Sequence, residues 1–177
     1  IRTFVKWVFI ASLTGICGGL IGTAFSYSIS FANKINNDNF WVIFLMPLGG
    51  LVIVTLYKLC KIENDPGTNL VIDSVRSQNS VPWIMAPLIF VSTVLTHLVG
   101  GSAGREGAAL QLGGSLGSVV GRVIKLDEKD MHIAIMSGMS GLFSSLFCTP
   151  ITAAFFALEV ISVGVTYYSA LVPCFVS

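Results

Sequence analysis

Charge is the scarcest property of this sequence. Asp, Glu, Lys and Arg make up 11% of its 177 residues, against 54% hydrophobic ones, where a soluble domain carries about 25% charged residues. That leaves too little polar surface to cover a water-soluble globule, and lipid is the natural alternative solvent. Neither sign of charge dominates: the net charge of +1 lacks the basic footprint of a nucleic-acid binder. The four cysteines, Cys17, Cys60, Cys148 and Cys174, include no pair at metal-ligand spacing and are expected as buried small hydrophobes. No HExxH, Ser-His-Asp set or Cys/His cluster is present for nucleophilic or metal-assisted chemistry. Neither an enzyme nor a cofactor is therefore expected. There is no Met at position 1, and Ser177 closes the sequence inside an apolar run, so the expectation is a piece of a longer chain.

What is abundant is apolar residues in long runs, with a mean hydropathy of +0.83. A crossing needs roughly 20 residues to span about 30 Å of hydrocarbon. Residues 4–32 satisfy this and are too long for a signal peptide. Their Gly15, Gly18, Gly19 and Gly22 make two overlapping GxxxG spacings, which let a second helix approach closely. The polar stretch 33–39 reads as a turn, and residues 40–60 as a second span broken mid-way by Pro47 and Gly49-Gly50. Residues 58–80 are the most polar. Within them Asp65-Pro66-Gly67-Thr68-Asn69 opens a short half-apolar helix over 70–75, with Thr68 or Asn69 as its cap. A third apolar run covers 81–99, with prolines at 82 and 87. Glycine-rich helices are expected over 108–124 and 131–148, separated by a charged loop at 122–130, and Thr149-Pro150 is expected to start another over 150–162. A last apolar segment begins at Tyr167. Trp7, Trp41 and Trp83 lie near the ends of apolar segments, as an aromatic belt requires, and the distribution of Lys and Arg puts the N-terminus and the 58–80 loop in the cytoplasm.

The chemistry concentrates at residues 100–107, Gly-Gly-Ser-Ala-Gly-Arg-Glu-Gly. Two charges in a non-helical break between apolar segments are costly at membrane depth, at least about 2.5 kcal/mol each, and such residues usually face a protein interior or an aqueous path. Glycines leave the peptide N–H groups uncovered, and the helix that follows offers its first unpaired N–H groups and the positive end of its dipole. That is an anion site without a formal cation, of the kind broken helices form in transporters. Glu106 then stands where an anion would stand: its carboxylate blocks the site when seated and opens it when protonated or displaced. Arg105 and Glu106 solvated in an external loop is the plain alternative. His97, a few residues earlier, reads as a hydrogen-bonded packing residue, with a proton relay as the alternative.

Gly104-Arg105-Glu106-Gly107, followed by Ala108-Ala109-Leu110-Gln111-Leu112-Gly113-Gly114, resembles the GREGPxVQxGG signature of the CLC family of anion channels and transporters. Ser137-Gly-Met-Ser-Gly141 leading to Phe143-Ser-Ser-Leu-Phe147, and Thr149-Pro150 with eight apolar or small residues before Glu159, resemble two further blocks of that family in the same order. The resemblance implies an all-α polytopic membrane protein with broken and re-entrant helices. Residues 1–177 correspond to the first of the family's two inverted repeats, incomplete at the C-terminus; the GxFxP motif and pore tyrosine of the second repeat are absent. It implies a homodimer with a pore in each subunit, multi-pass in the plasma membrane, and Glu106 as the gating, proton-carrying glutamate. Gly104, Arg105, Gly107, Ala108, Thr68 and Asn69 would form the anion site.

Three departures narrow the resemblance. The chloride-selective branch has Gly-Ser-Gly-Ile-Pro where this sequence has Asp65-Pro66-Gly67-Thr68-Asn69-Leu70. Ala108 replaces the proline after Glu106-Gly107, and Val160 stands where chloride exchangers carry an internal glutamate. The first two are similar to the fluoride/proton antiporter branch, in which the third is uninformative. Fluoride holds its water tightly, so its site needs strong donors such as the Asn69 amide and the Thr68 hydroxyl. The implied function is fluoride/proton antiport across a lipid bilayer. A chloride channel or chloride/proton exchanger is the alternative, and a membrane fragment without transport of its own a further one. Glu159 reads as a paired, buried or interfacial carboxylate, and Phe155 and Phe156 as packing residues.

Overall fold

The computed structural model describes residues 2–62, 67–77, 81–161 and 168–177; Glu63, Asp65, Pro66 and Tyr167, named above, lie outside them. Among the described residues every regular element is a helix. α1 is Arg2–Asp38, about 55 Å long at 1.5 Å per residue, and so exceeds the hydrocarbon thickness. Residues 33–38, expected as a turn, are its last turns, and only Asn39, with φ −133° and ψ 79°, leaves the helix. The extension has a partner: Asn36 Nδ2 donates to the Leu98 carbonyl at 3.2 Å. A tight 3-10 stretch, Phe40–Leu45, leads into α2, Met46–Leu59. Pro47 falls in the first turn of α2, where its missing N–H is not needed, so the break expected mid-span lies at its start and Gly49-Gly50 continue the helix. Both stretches are long and apolar enough to cross a membrane. Their outward faces carry Phe9, Ile16, Leu20, Phe31, Phe44, Leu48 and Leu51, all exposed, as a lipid-facing surface requires.

α3, Thr68–Ser77, has 10 residues and α4, Met85–Leu98, has 14, about 15 and 21 Å of helix, both short of a full crossing. Pro82 precedes α4 and Pro87 sits in its first turn, so the apolar run 81–99 is not helical throughout. The irregular carbonyls at 81–82 are satisfied from α5: Ser115 Oγ donates to Pro82 O at 3.3 Å, Ser118 Oγ to Val81 O at 3.4 Å, and Arg122 also donates to Val81 O. Where no water enters, such partners are what permit non-helical backbone.

α5 is Arg105–Ile124 and α6 Glu128–Phe147. The charged loop is only 125–127, shorter than expected. Lys125, at φ 58°, ends α5, and Leu126 N bonds back to Gly121 O at 2.9 Å, a six-to-one closure that satisfies a terminal carbonyl. α5 and α6 touch backbone to backbone. A Cβ on Gly138 would lie 2.8 Å from Gly117 N, one on Gly113 would strike Gly138 O, and one on Gly117 would strike Ala134 O. α1 joins through Gly18, packed on Leu142, and Gly22, packed on Ser145, while Gly19 faces open space. Of the two GxxxG spacings, Gly18–Gly22 is the one with both glycines in the interface.

α7, Pro150–Glu159, starts after Thr149, which holds the cap position without a side-chain cap bond. α8 is Tyr168–Val176. Its last carbonyls are met from α6, by Ser140 Oγ to Cys174 O at 2.7 Å and Ser137 Oγ to Pro173 O at 3.3 Å. The core gathers Phe25, Ile29, Leu112, Ile135, Met136, Met139, Leu142 and Leu158. Trp7 is buried in it, so only Trp41 and Trp83 stand out as belt residues. Cys174 is buried, whereas Cys148, expected buried, is exposed at the left-handed turn that ends α6. Glu159 is exposed and forms no ion pair among the described residues, so of the readings above the buried one is not met. Phe155 and Phe156 each meet one ring, Phe175 and Phe143, but both stay exposed and outside the core.

Candidate anion site

The break before α5 is shorter than its composition indicates. Gly104, in extended conformation, is the N-cap, and the helix begins at Arg105. Arg105 and Glu106 therefore occupy the first helical turn instead of a loop. No side-chain bond caps this end. In the helical pattern the uncovered donors are the N–H groups of Gly104, Arg105, Glu106 and Gly107. Ala108, buried in the core cluster, is the fourth helical residue, so its N–H turns to the Gly104 carbonyl. That shifts the donor set one residue back from the one expected.

α3 brings a second helix start to the same place. A Cβ on Gly107 would lie 2.9 Å from Thr68 Oγ1, and further along Gly114 packs on Val71. The two helices thus run side by side in the same sense, with their N-terminal ends together. The glycine at 107 is a steric requirement of this approach, and Gly114 is a second one. Thr68 and Asn69, expected as caps of α3, are its first two residues. Thr68 is half-buried with its hydroxyl directed at α5, and Asn69 lies in the same turn with its side chain exposed. Two positive dipole ends and one hydroxyl meet here, an arrangement that favours negative charge.

The carboxylate of Glu106 lies beside the start of α5. Glu106 is exposed in this chain, and its Oε2 lies 3.3 Å from where a Gly104 Cβ would be, so the side chain folds back over the start of its own helix. It takes part in no ion pair among the described residues. Arg105 is half-buried. The structure therefore brings Gly104, Arg105, Glu106, Gly107 and Thr68 together, with Asn69 at the margin and Ala108 behind. Asn36 was missed by sequence reasoning. Among Asn33, Asn36, Asn37 and Asn39 nothing in the sequence singles it out as the one that reaches α4.

The family model described as voltage gated chloride channel matches residues 49–177. The chain belongs to that family. It is 37% identical over 173 residues to a chloride/fluoride channel protein of Pseudomonas syringae pv. tomato, covering 97% of this chain and 38% of that one. The crystal structure of a CLC-type fluoride/proton antiporter superposes with a TM-score of 0.91 at 34% identity, over 97% of this chain and 44% of that one. A slow cyanobacterial Cl−/H+ antiporter superposes with a TM-score of 0.69 at 20% identity, over 99% and 45%, a likeness of fold. The chain spans about two fifths of the length of these CLC relatives. Its eight described helices form part of the CLC fold.

Proposed function

We propose that this protein carries fluoride across a membrane in exchange for protons, with Glu106 as the gate. The observation that carries the reading is the meeting of the α3 and α5 N-termini at Thr68 and Gly107, with the Glu106 carboxylate folded over the same helix start. Seated there, the carboxylate competes with an anion for the uncovered N–H groups. Protonated, it loses the charge that the dipoles hold and leaves room for the ion. One side chain then couples the two movements. The donors are the N–H groups of Gly104–Gly107 and the Thr68 hydroxyl, with the Asn69 amide beside them. Several strong donors suit an ion that must be stripped of tightly held water.

Residues 1–177 serve in this reading as the first of two inverted repeats. The working protein is a homodimer, multi-pass in the plasma membrane. Chloride is the competing cargo, and uncoupled flow the competing mode; the relative from Pseudomonas syringae is described as a chloride/fluoride channel, and the structural neighbour as a fluoride/proton antiporter. Ion efflux from liposomes holding the full-length protein, with fluoride, chloride and pH recorded together, separates these. Fluoride efflux should drive proton uptake and exceed chloride efflux. Glu106→Gln should abolish the proton movement and alter the anion flux. Coupled exchange at the wild-type rate in that variant would remove the gating role.

A further inference from the structure

The hairpin of α1 and α2 grips the end of α4 at three successive residues, Leu98, Val99 and Gly100. We propose that Asn36, in the last turn of α1, is a positioning residue for the anion site: it holds the end of α4, and with it the short loop that delivers the first N–H groups of α5. The inference rests on the anion-transport reading above.

The grip begins with what α4 cannot supply for itself. Its end closes as Gly100 N bonds to His97 O at 3.2 Å and Gly101 N to Thr96 O at 2.8 Å, with Gly100 reversing the chain at φ +82°. That closure serves the second and third carbonyls from the end of the helix and leaves over the last one, that of Leu98. Asn36 Nδ2 donates to it at 3.2 Å. The neighbouring residues are held by packing. A Cβ on Gly49 of α2 would lie 3.1 Å from both methyls of Val99, and one on Gly100 would lie 3.1 Å from Asn36 Nδ2 and 3.2 Å from Ile43 Cγ1. Gly101 lies against Thr96, whose Cγ2 would be 2.7 Å from an added Cβ. Asn is a weak helix former, and Asn36 is half-buried; its bond to α4 accounts for both. Past this grip only Ser102 and Ala103 remain before Gly104, the N-cap of α5. Two residues span at most about 7 Å and leave little slack, so a shift of Gly101 is passed on to the cap. The direction of the Gly104–Gly107 N–H groups thus depends on a side chain of α1, and small errors of direction weaken a site built from peptide donors.

The test compares Asn36→Leu, Asn36→Asp and Asn37→Leu in the full-length protein in liposomes. Leu keeps the bulk of Asn36 and Asp its shape, and above about pH 6 neither side chain donates a hydrogen bond. Asn37 is exposed in the same turn and serves as the control. Three quantities are read: amide hydrogen exchange at Gly100 and Gly101, the fluoride concentration at half-maximal flux, and the maximal flux. Both Asn36 variants should exchange about tenfold faster at the two glycines. Both should raise the half-saturating concentration about five- to tenfold, the scale of one hydrogen bond, with maximal flux within about twofold of wild type. Asn37→Leu should stay within about twofold of wild type in all three. A side chain that only stabilises the fold would lower the maximal flux, through loss of folded copies, and leave the half-saturating concentration unchanged; that result overturns the inference. Unaltered exchange at the two glycines, or an equal effect of Asn37→Leu, overturns it as well. Should Asn36→Leu fail to fold, Asn36→Asp decides. These results sink this inference alone, whereas a wild-type protein that carries no anion overturns it together with the transport reading.

Discussion

At residue scale the contact between Thr68 and Gly107 is the sharpest feature, because it turns a glycine into a measurable requirement. A methyl group at position 107 would stand 2.9 Å from Thr68 Oγ1, too close for both to keep their places, and the hydroxyl is the part free to rotate. Gly107→Ala and Thr68→Val should therefore have the same effect by different routes, each taking the hydroxyl out of the site. Each should raise the half-saturating fluoride concentration about tenfold, the worth of a hydrogen bond to a charged group near 1.5 kcal/mol. The double variant should be little worse than either single one, because the two changes remove one interaction. Additive losses in that cycle would mean that the residues act apart. The Gly-Arg-Glu-Gly string was legible as a site from its charges and glycines. Its partner Thr68, 39 positions away in sequence, was reached through family resemblance, since only packing brings the start of α3 against α5.

The element scale is governed by small residues. α5 and α6 approach until Gly113 and Gly117 face Gly138 and Ala134, a distance that side chains would forbid. Gly117→Ala should destabilise the protein at the upper end of the about 1–3 kcal/mol typical of overpacking, because the obstacle is the Ala134 carbonyl, which has no rotamer to move. Gly50→Ala meets nothing within 4 Å on α2 and should be neutral or stabilise by up to about 1 kcal/mol through helix propensity. Thermal unfolding of both variants in detergent checks the contrast; equal losses would count against this helix pairing. Four-residue glycine spacing announced such contacts in advance, but not which spacing is used. Gly15–Gly19 and Gly18–Gly22 look alike in sequence, and the rotation of α1 about its axis selects the second. Helix ends were the least legible. Residues 33–38 are polar enough for a turn, yet they continue α1 because Asn36 finds a carbonyl on α4.

Across the whole molecule, lipid-facing and protein-facing surfaces divide the aromatic residues. Trp7 is 8% exposed within the core, whereas Trp41 and Trp83 are 63% and 64% exposed. In single-tryptophan variants, brominated lipid should quench Trp41 and Trp83 strongly and Trp7 weakly; strong quenching of Trp7 would mean that the start of α1 is turned outward. The ends of the bundle are tied less firmly. Lys6 Nζ and Asp130 pair at 2.6 Å with side chains 46% and 25% exposed, a contact worth at most about 1 kcal/mol in water. It joins the beginning of α1 to that of α6, at the opposite end of α5 from Glu106. Asp130→Asn should leave ion flux unchanged and stability within about 1 kcal/mol, as read by efflux and thermal unfolding.

The sequence by itself determined the solvent, the helical class and the chemical focus. Scarcity of charge, runs of apolar residues and a carboxylate among glycines constrain these locally, without reference to distant residues. Only the tertiary structure decided where α5 begins, which glycines serve as contacts, that Thr68 meets Gly107 and that Asn36 meets the end of α4. Those outcomes depend on how helices far apart in the chain turn their faces to one another, and that orientation is set by the packed whole.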